Sequence, residues 1–236
     1  MEIPNEIMQI WLPLIVAGLI QASFGLGVSM LTLLSGHLMS ARESTRRLHR
    51  LSLAYIVGSL FAIVMMLLAV MYLLSWLSLS FSEQFWAVLT GASVGVGLCV
   101  LLFYYRRDKK GTRLWLPRRA AEYLYARTKA TRHSFEALIL GVGSIVAELI
   151  FIAAPLVIAA NLMAELTSWW QIMAIFVYLL IVIAPMLILH ISNLGGHKIS
   201  KIQHWREQNK RFLQVAAGVL LIILGFYLLT YKVIGG

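Results

Sequence analysis

The chain has 236 residues, of which 60% are hydrophobic and 13% charged, and its mean hydropathy is +0.83. An ordinary soluble domain has about a quarter of its residues charged, so this composition excludes one. The net charge is +10, and Cys99 is the only cysteine, which excludes an intramolecular relay by paired thiols. No basic and aromatic recognition module accompanies the charge, so we expect no nucleic-acid partner.

The apolar residues fall into stretches long enough to cross a bilayer. A hydrocarbon core of ~30 Å requires about 20 apolar residues in one helix. Six stretches meet this requirement, and they predict an all-α, polytopic membrane protein with a single domain, residues 1–236. The six predicted helices are residues 8–34, 51–75, 85–105, 135–163, 171–191 and 212–231.

The positions of the basic residues predict the orientation. Of the 20 Lys and Arg residues, 19 lie in three connectors, at 37–50, 106–133 and 192–211. The connectors near 76–84 and 164–170 have none. Because basic loops stay in the cytoplasm, we predict that both termini are extracytoplasmic. The long connector 106–133 then separates two halves of three helices, and an odd number per half predicts an inverted 3+3 repeat.

Two local signals predict helices within these cytoplasmic connectors. Ser40 and Glu43 have the spacing of a capping box, which predicts that the second helix begins near Ala41. Pro117 opens the segment PRRAAEYLYART. Its pattern predicts a short amphipathic helix on the cytoplasmic face of the membrane.

The strongest functional signal is a carboxylate near the middle of the fourth stretch. Glu148 lies within GVGSIVAELIFIAAP, residues 141–155. A charge at the bilayer centre costs at least ~2.5 kcal/mol on insertion scales. No Lys or Arg lies within the six apolar stretches, so either a water-filled cavity or protonation has to accommodate this carboxylate. A transport or proton site is one interpretation. The other is a neutral Glu148 hydrogen-bonded to Gln21, Ser29 or a backbone carbonyl.

Small and polar residues recur at helical spacing along one face of the first stretch and one face of the fourth. Close helix packing explains many such faces, but Gln21 and Glu148 are too large and too polar to be packing residues alone. Pro155 frees the carbonyl of Phe151 and should kink the fourth helix beside this face. We therefore predict a path for substrate or protons lined by Gln21, Ser29, Thr32, Ser144, Glu148 and Pro155.

The sequence gives less support to a metal site or to a protease active site. The six histidines all lie toward the cytoplasmic side, and a metal-entry site at His37, His190 and His197 is one interpretation. None of them has a ligand spacing such as HxxxH, so we predict imidazoles at headgroup depth and no metal site. The GVGS segment ending at Ser144 resembles the nucleophile of intramembrane serine proteases, but the sixth helix supplies no histidine base. We expect no catalytic residue, no enzymatic activity and no cofactor.

The last apolar stretch carries a family resemblance. RFLQVAAGVLLIILGFYLL, residues 211–229, resembles the last helix of the lysine-exporter superfamily of six-helix membrane proteins. Ala154-Pro155 is similar to the cysteine-proline segment of the related electron carriers of cytochrome c biogenesis, with the cysteine missing. The thiol pair of those carriers and the internal proline motif of helix 1 are absent. The resemblance implies a six-helix, 3+3 exporter-like fold and assigns no substrate.

Together these features predict a multi-pass transporter of the bacterial cytoplasmic membrane. It would export a small solute or ion, with Glu148 able to couple export to protons. A non-transporting membrane protein that assembles or scaffolds a partner complex is the alternative from a different class. The lipid bilayer is the expected partner besides the solute, and the sequence leaves homo-oligomerisation open.

Overall fold

The computed structural model describes residues 5–25, 43–76, 83–103, 105–108, 111–114, 133–194 and 209–234. Seven helices are described. They are α1 (Asn5–Gly25), α2 (Glu43–Trp76), α3 (Glu83–Phe103), α4 (Ser134–Ala147), α5 (Leu149–Ala164), α6 (Ser168–Leu194) and α7 (Lys210–Leu228). A π-helical turn, Leu229–Ile234, continues α7. The predicted all-α class is confirmed, since helices make up nearly all of the described chain.

One antiparallel hairpin in the predicted connector 106–133 is the exception. Strand β1 (Tyr105–Asp108) pairs with β2 (Gly111–Leu114), and Asp108 lies opposite Gly111. Four-residue strands are too short for a period-2 pattern to be recognised, which is why the sequence did not predict them. The amphipathic helix predicted after Pro117 lies outside the described residues. So do the first three residues of the predicted capping box, and α2 begins at its last residue, Glu43.

Three described helices, α2, α3 and α6, are long and apolar enough to cross a membrane. Two shorter apolar helices, Ile10–Phe24 within α1 and Val215–Tyr231 within α7, accompany them. The outer surfaces of the long helices are apolar, which suits contact with lipid tails. On α6 this outward stripe recurs every three or four residues and includes Ile172, Phe176, Leu180, Ile188 and Ile191.

The segment predicted as the fourth helix, residues 135–163 with a kink at Pro155, consists of two helices. The segment is broken at Glu148, and the helices on either side, Ser134–Ala147 and Phe151–Ala164, are bent by 88°. The backbone at Glu148 has φ −88° and ψ 0°, outside the helical region. A bent pair of this kind is either a broken span or a re-entrant loop, so it supplies at most a fourth crossing.

Glycines allow the closest helix contacts. A Cβ on Gly58 of α2 would overlap the backbone of Leu138 in α4, and a Cβ on Gly141 of α4 would overlap the Tyr55 carbonyl of α2. Gly97 and Gly218 also allow α3 and α7 to approach, less closely, since a Cβ on either glycine would lie 2.9–3.0 Å from the carbonyl oxygen of the other. Small residues at such crossings let two helix backbones touch, which is how membrane helices associate without a hydrophobic driving force.

Pairs of contacting residues give the relative direction of two helix pairs. In α1 and α6, Trp11 meets Trp170 and Gly18 meets Tyr178, so the two helices run parallel. In α3 and α7 the order is reversed, because Gly97 meets Gly218 whereas Thr90, seven residues earlier, meets Gly225. These two helices are therefore antiparallel.

Candidate functional site

The break at Glu148 is the centre of the candidate site. Glu148 is half-buried and lies directly between the last residue of α4 and the first residue of α5. Its N–H donates to the carbonyl of Ser144 at 3.1 Å, and its own carbonyl accepts from Phe151 at 2.9 Å and Ile152 at 3.2 Å. The carboxylate thus lies at a helix junction, where backbone polar groups of two helix ends are close by.

The two helix ends affect a charge at this position in opposite ways. The N-terminus of α5 carries a partial positive charge that favours an ionised Glu148. The C-terminal carbonyls of α4 carry a partial negative charge that favours a proton or a cation there. A carboxylate in the middle of an unbroken helix would be near neither of these partial charges. This junction therefore gives Glu148 an environment in which both of its protonation states find partners.

Pro155 contributes to the site less directly than predicted. It is buried inside α5, and the helix continues through it. Its ring cannot donate to the carbonyl of Phe151. The bend that the structure has lies before Phe151, as an angle of 88° between Ser134–Ala147 and Phe151–Ala164.

Ser144, one turn before Glu148, joins α4 to α2. The Tyr55 hydroxyl donates to the Ser144 hydroxyl at 2.7 Å, and the Ser144 hydroxyl donates to the carbonyl of Gly141 at 3.0 Å. Ser59, one turn beyond Tyr55, donates to the same Gly141 carbonyl at 3.3 Å. All of these side chains are buried. The close approach at Gly141 is what brings the hydroxyls of α2 within reach of α4.

A buried polar stripe runs along α2. His49, Ser52, Tyr55 and Ser59 follow one another at spacings of three or four residues, so they share one face of the helix. At one end of the stripe, Ser52 is 2.7 Å from Nδ1 of His190 on α6. Further along, Tyr55 reaches Ser144. Individually these residues look like packing residues, and only the pairing of α2 with both α4 and α6 reveals the stripe.

Gln21 is buried, as predicted, but its partner is a different helix from the one expected. The Tyr178 hydroxyl of α6 donates to Oε1 of Gln21. The Nε2 group of Gln21 has no hydrogen-bond partner among the described residues, so it does not donate to Glu148. Ser29 and Thr32, the other predicted residues of helix 1, lie outside the described residues.

Asn161 of α5 is a buried polar residue that the sequence reasoning missed. Its side chain is fully buried, and neither its Oδ1 nor its Nδ2 has a partner within the described part of the chain. An unsatisfied buried amide costs about 1–3 kcal/mol. The signal was available, because Asn161 is the one amide in the otherwise apolar run Leu149–Ala164.

The Gln21–Tyr178 pair gives a first testable expectation. Replacing Tyr178 with Phe should lower the free energy of unfolding by about 1–3 kcal/mol, because both ends of the Gln21 amide are then buried without partners. Adding Gln21→Leu should restore most of that loss, since the double variant leaves no unsatisfied group. Unfolding in mixed detergent micelles measures all four proteins of this double-mutant cycle. Strictly additive effects would contradict the pairing.

Apolar helices of membrane-spanning length, a helix break at a carboxylate and buried polar contacts between helices define a helical membrane protein. Comparisons with protein-family models, with curated proteins and with solved structures found no match to this chain. The functional conclusion therefore depends on the site itself.

Proposed function

We propose that this protein is a membrane transporter that exports a small solute and uses Glu148 to couple export to protons. The observation that carries the proposal is the helix break at Glu148, with its 88° bend, inside the fourth apolar segment. Helices interrupted in this way, with half-helix ends directed at a site, are typical of transporters. Backbone polar groups freed within an apolar segment are tolerated only where protein, water or a bound solute satisfies them.

Glu148 suits proton coupling because it is a half-buried carboxylate at the junction of two helix ends, inside an apolar segment. A water-filled, open state would favour the ionised form, and a closed, dehydrated state would favour the protonated form. A cycle that alternates between the two states takes up a proton on one side of the membrane and releases it on the other.

The proposed layout is six spans in a 3+3 inverted arrangement, with both termini extracytoplasmic and a bacterial cytoplasmic membrane as the location. Parallel α1 and α6 and antiparallel α3 and α7 have the directions that six alternating spans require. Helix α4 is different, because it runs antiparallel to α2, and it fits this layout only as one arm of a re-entrant or broken fourth span. The end of α6 also lies against the beginning of α2, at His190 and Ser52, as expected if both adjoining basic connectors are on one side. This layout is that of the lysine-exporter superfamily, which the last helix resembles.

The polar groups of the site favour a neutral or zwitterionic solute over a divalent metal ion. One carboxylate is too few hard ligands for a divalent cation. Among the described residues, no group of three His, Cys, Asp or Glu side chains is arranged to hold a metal. Amides and hydroxyls, as in Gln21, Asn161 and Ser144, both donate and accept hydrogen bonds. Amino acids are therefore the first solute class to test.

The proposal is tested in liposomes that contain only the purified protein. The vesicles enclose a pH-sensitive dye and are loaded with each of a panel of amino acids in turn, and protein-free vesicles are the control. We expect protons to enter the vesicles down an imposed proton gradient while the solute leaves them. If no amino acid or other small polar solute moves, and no protons move, the protein does not transport, and the assembly or scaffold function replaces this proposal.

A further inference from the structure

Two histidines from different helices meet at one end of the polar stripe on α2. The ring centroids of His49, on α2, and His190, on α6, are 4.6 Å apart, with the rings inclined at 34°. His190 is buried at 5% exposure, and His49 is half-buried. Ser52 lies one turn after His49 and contacts the His190 ring. Two imidazoles this close cannot readily be charged together, so their protonation is coupled.

The hydrogen bonds around Ser52 suit a protonated His190. The Ser52 hydroxyl donates to the carbonyl of His49 at 3.1 Å, which leaves its oxygen free to accept from Nδ1–H of His190 at 2.7 Å. A second proton on His190 would go to Nε2, and both existing hydrogen bonds would be kept. The charged ring therefore needs no rearrangement of its partners. Nδ1 of His49 is buried and has no partner among the described residues.

The charges near the pair limit it to a single proton. Arg46, Arg47 and Arg50 are exposed on the same end of α2, and they oppose further positive charge. The sequence of α6 contains no charged residue. The acidic residues of the other helices packed on α2 are Glu136, in the first turn of α4, and Glu148, at the junction of α4 and α5.

We propose that His49, Ser52 and His190 form a site that binds one proton where α2 meets α6. The site lies at the end of the polar stripe where Arg46, Arg47 and Arg50 are exposed. It would exchange its proton with the aqueous side that these arginines face. Because Tyr55 meets Ser144 and Ser59 meets Gly141, α4 runs antiparallel to α2, and Glu148, one turn after Ser144, lies toward the Ser52 end of the stripe. This assignment deepens the proposed function, because it places a proton-accepting group on the same part of α2 that Glu148 approaches.

Binding of a proton at this site can be measured without any transport assay. The protein is labelled with ¹⁵N in its histidine rings, placed in lipid nanodiscs and followed by NMR from about pH 5 to pH 8, the range in which imidazoles titrate. His49→Gln and His190→Gln assign the two signals. In the wild type we expect one step, seen in the signals of both rings, because the pair binds a single proton. In His49→Gln we expect the midpoint of the His190 step to shift, because the second ring no longer shares the proton.

Two further variants make the result decisive. Ser52→Ala removes the acceptor of Nδ1–H, so it should shift the Nδ1 signal of His190 more than its Nε2 signal. This variant replaces His49→Gln in the test if His49→Gln does not fold. His133, exposed at the start of α4, is the matched control, because its titration should not change in any of these variants. A His190 titration that is the same with and without His49 would overturn the proposal. If the wild-type protein shows the coupled titration but transports nothing in the liposome assay, the proposed function is overturned and the proton site is not.

Discussion

Replacing Glu148 with Gln is expected to leave the protein folded and abundant but to abolish the dependence of solute flux on the pH gradient. Glutamine keeps the size and much of the hydrogen bonding of a protonated glutamate, but it cannot release a proton. A coupled carrier needs both protonation states in its cycle, and the variant has only the neutral one. We expect the pH-driven flux to fall by a factor of about 100, which corresponds to a free-energy difference of about 2.7 kcal/mol.

The measurement is flux across a pH gradient in liposomes, with the folded fraction of each variant checked first. Glu165→Gln is the matched control, because this carboxylate follows α5 and lies at the other end of the same bent segment. Glu148→Asp should be intermediate, since aspartate keeps the acid and shortens its reach. Wild-type flux and pH profile in Glu148→Gln would return the residue to a structural role at the helix junction.

Replacing Gly141 with Ala is expected to cause a large loss of stability for the addition of a single methyl group. The new Cβ would lie under 3.0 Å from the backbone of Tyr55 and Ser59, so α2 and α4 would have to separate. Backbone cannot rotate away as a side-chain tip can. Overpacking of this kind costs about 1–3 kcal/mol and occasionally more, and here the Tyr55–Ser144 hydrogen bond is also lengthened.

Gly91→Ala is the matched control for this comparison. Gly91 also lies within a helix, but a Cβ there would have no neighbour within 4 Å. Alanine should therefore be neutral at position 91 or stabilise α3 by up to about 1 kcal/mol through its higher helix propensity. Thermal unfolding in one detergent measures both variants. Equal stabilities would mean that α2 and α4 are not in backbone contact.

The sequence predicted the helices well, because long apolar stretches have few alternatives in a membrane. The bounds of α3 and α6 differ from the predicted ones by two or three residues, and α2 begins at Glu43, close to the start near Ala41 that the capping box predicts. The break at Glu148 was not predicted. Hydropathy is averaged over a window, and one residue with non-helical backbone angles leaves no trace in such an average.

The sequence predicted several residues of the candidate site, but it did not predict which residues of other helices they contact. Gln21, Ser144 and Glu148 stand out because they are polar in apolar surroundings, and each lies at an informative position in the structure. Their pairing with Tyr178 and Tyr55 could not be predicted this way, since helical spacing relates residues only within one helix. Which helix faces which is decided by close contacts such as Gly58 against Leu138, and these depend on the whole fold.

The buried amide of Asn161 means that variants selected only for higher stability are expected to lose this residue. Leucine has nearly the same branched shape and no unsatisfied polar atoms, so it is the residue that the surroundings of position 161 would accept at lower free energy. A search for thermostable variants, as is common before crystallisation of membrane proteins, would be drawn to this position. Such a variant would be easier to purify and a poor guide to activity, because stability and function commonly trade off at sites of this kind.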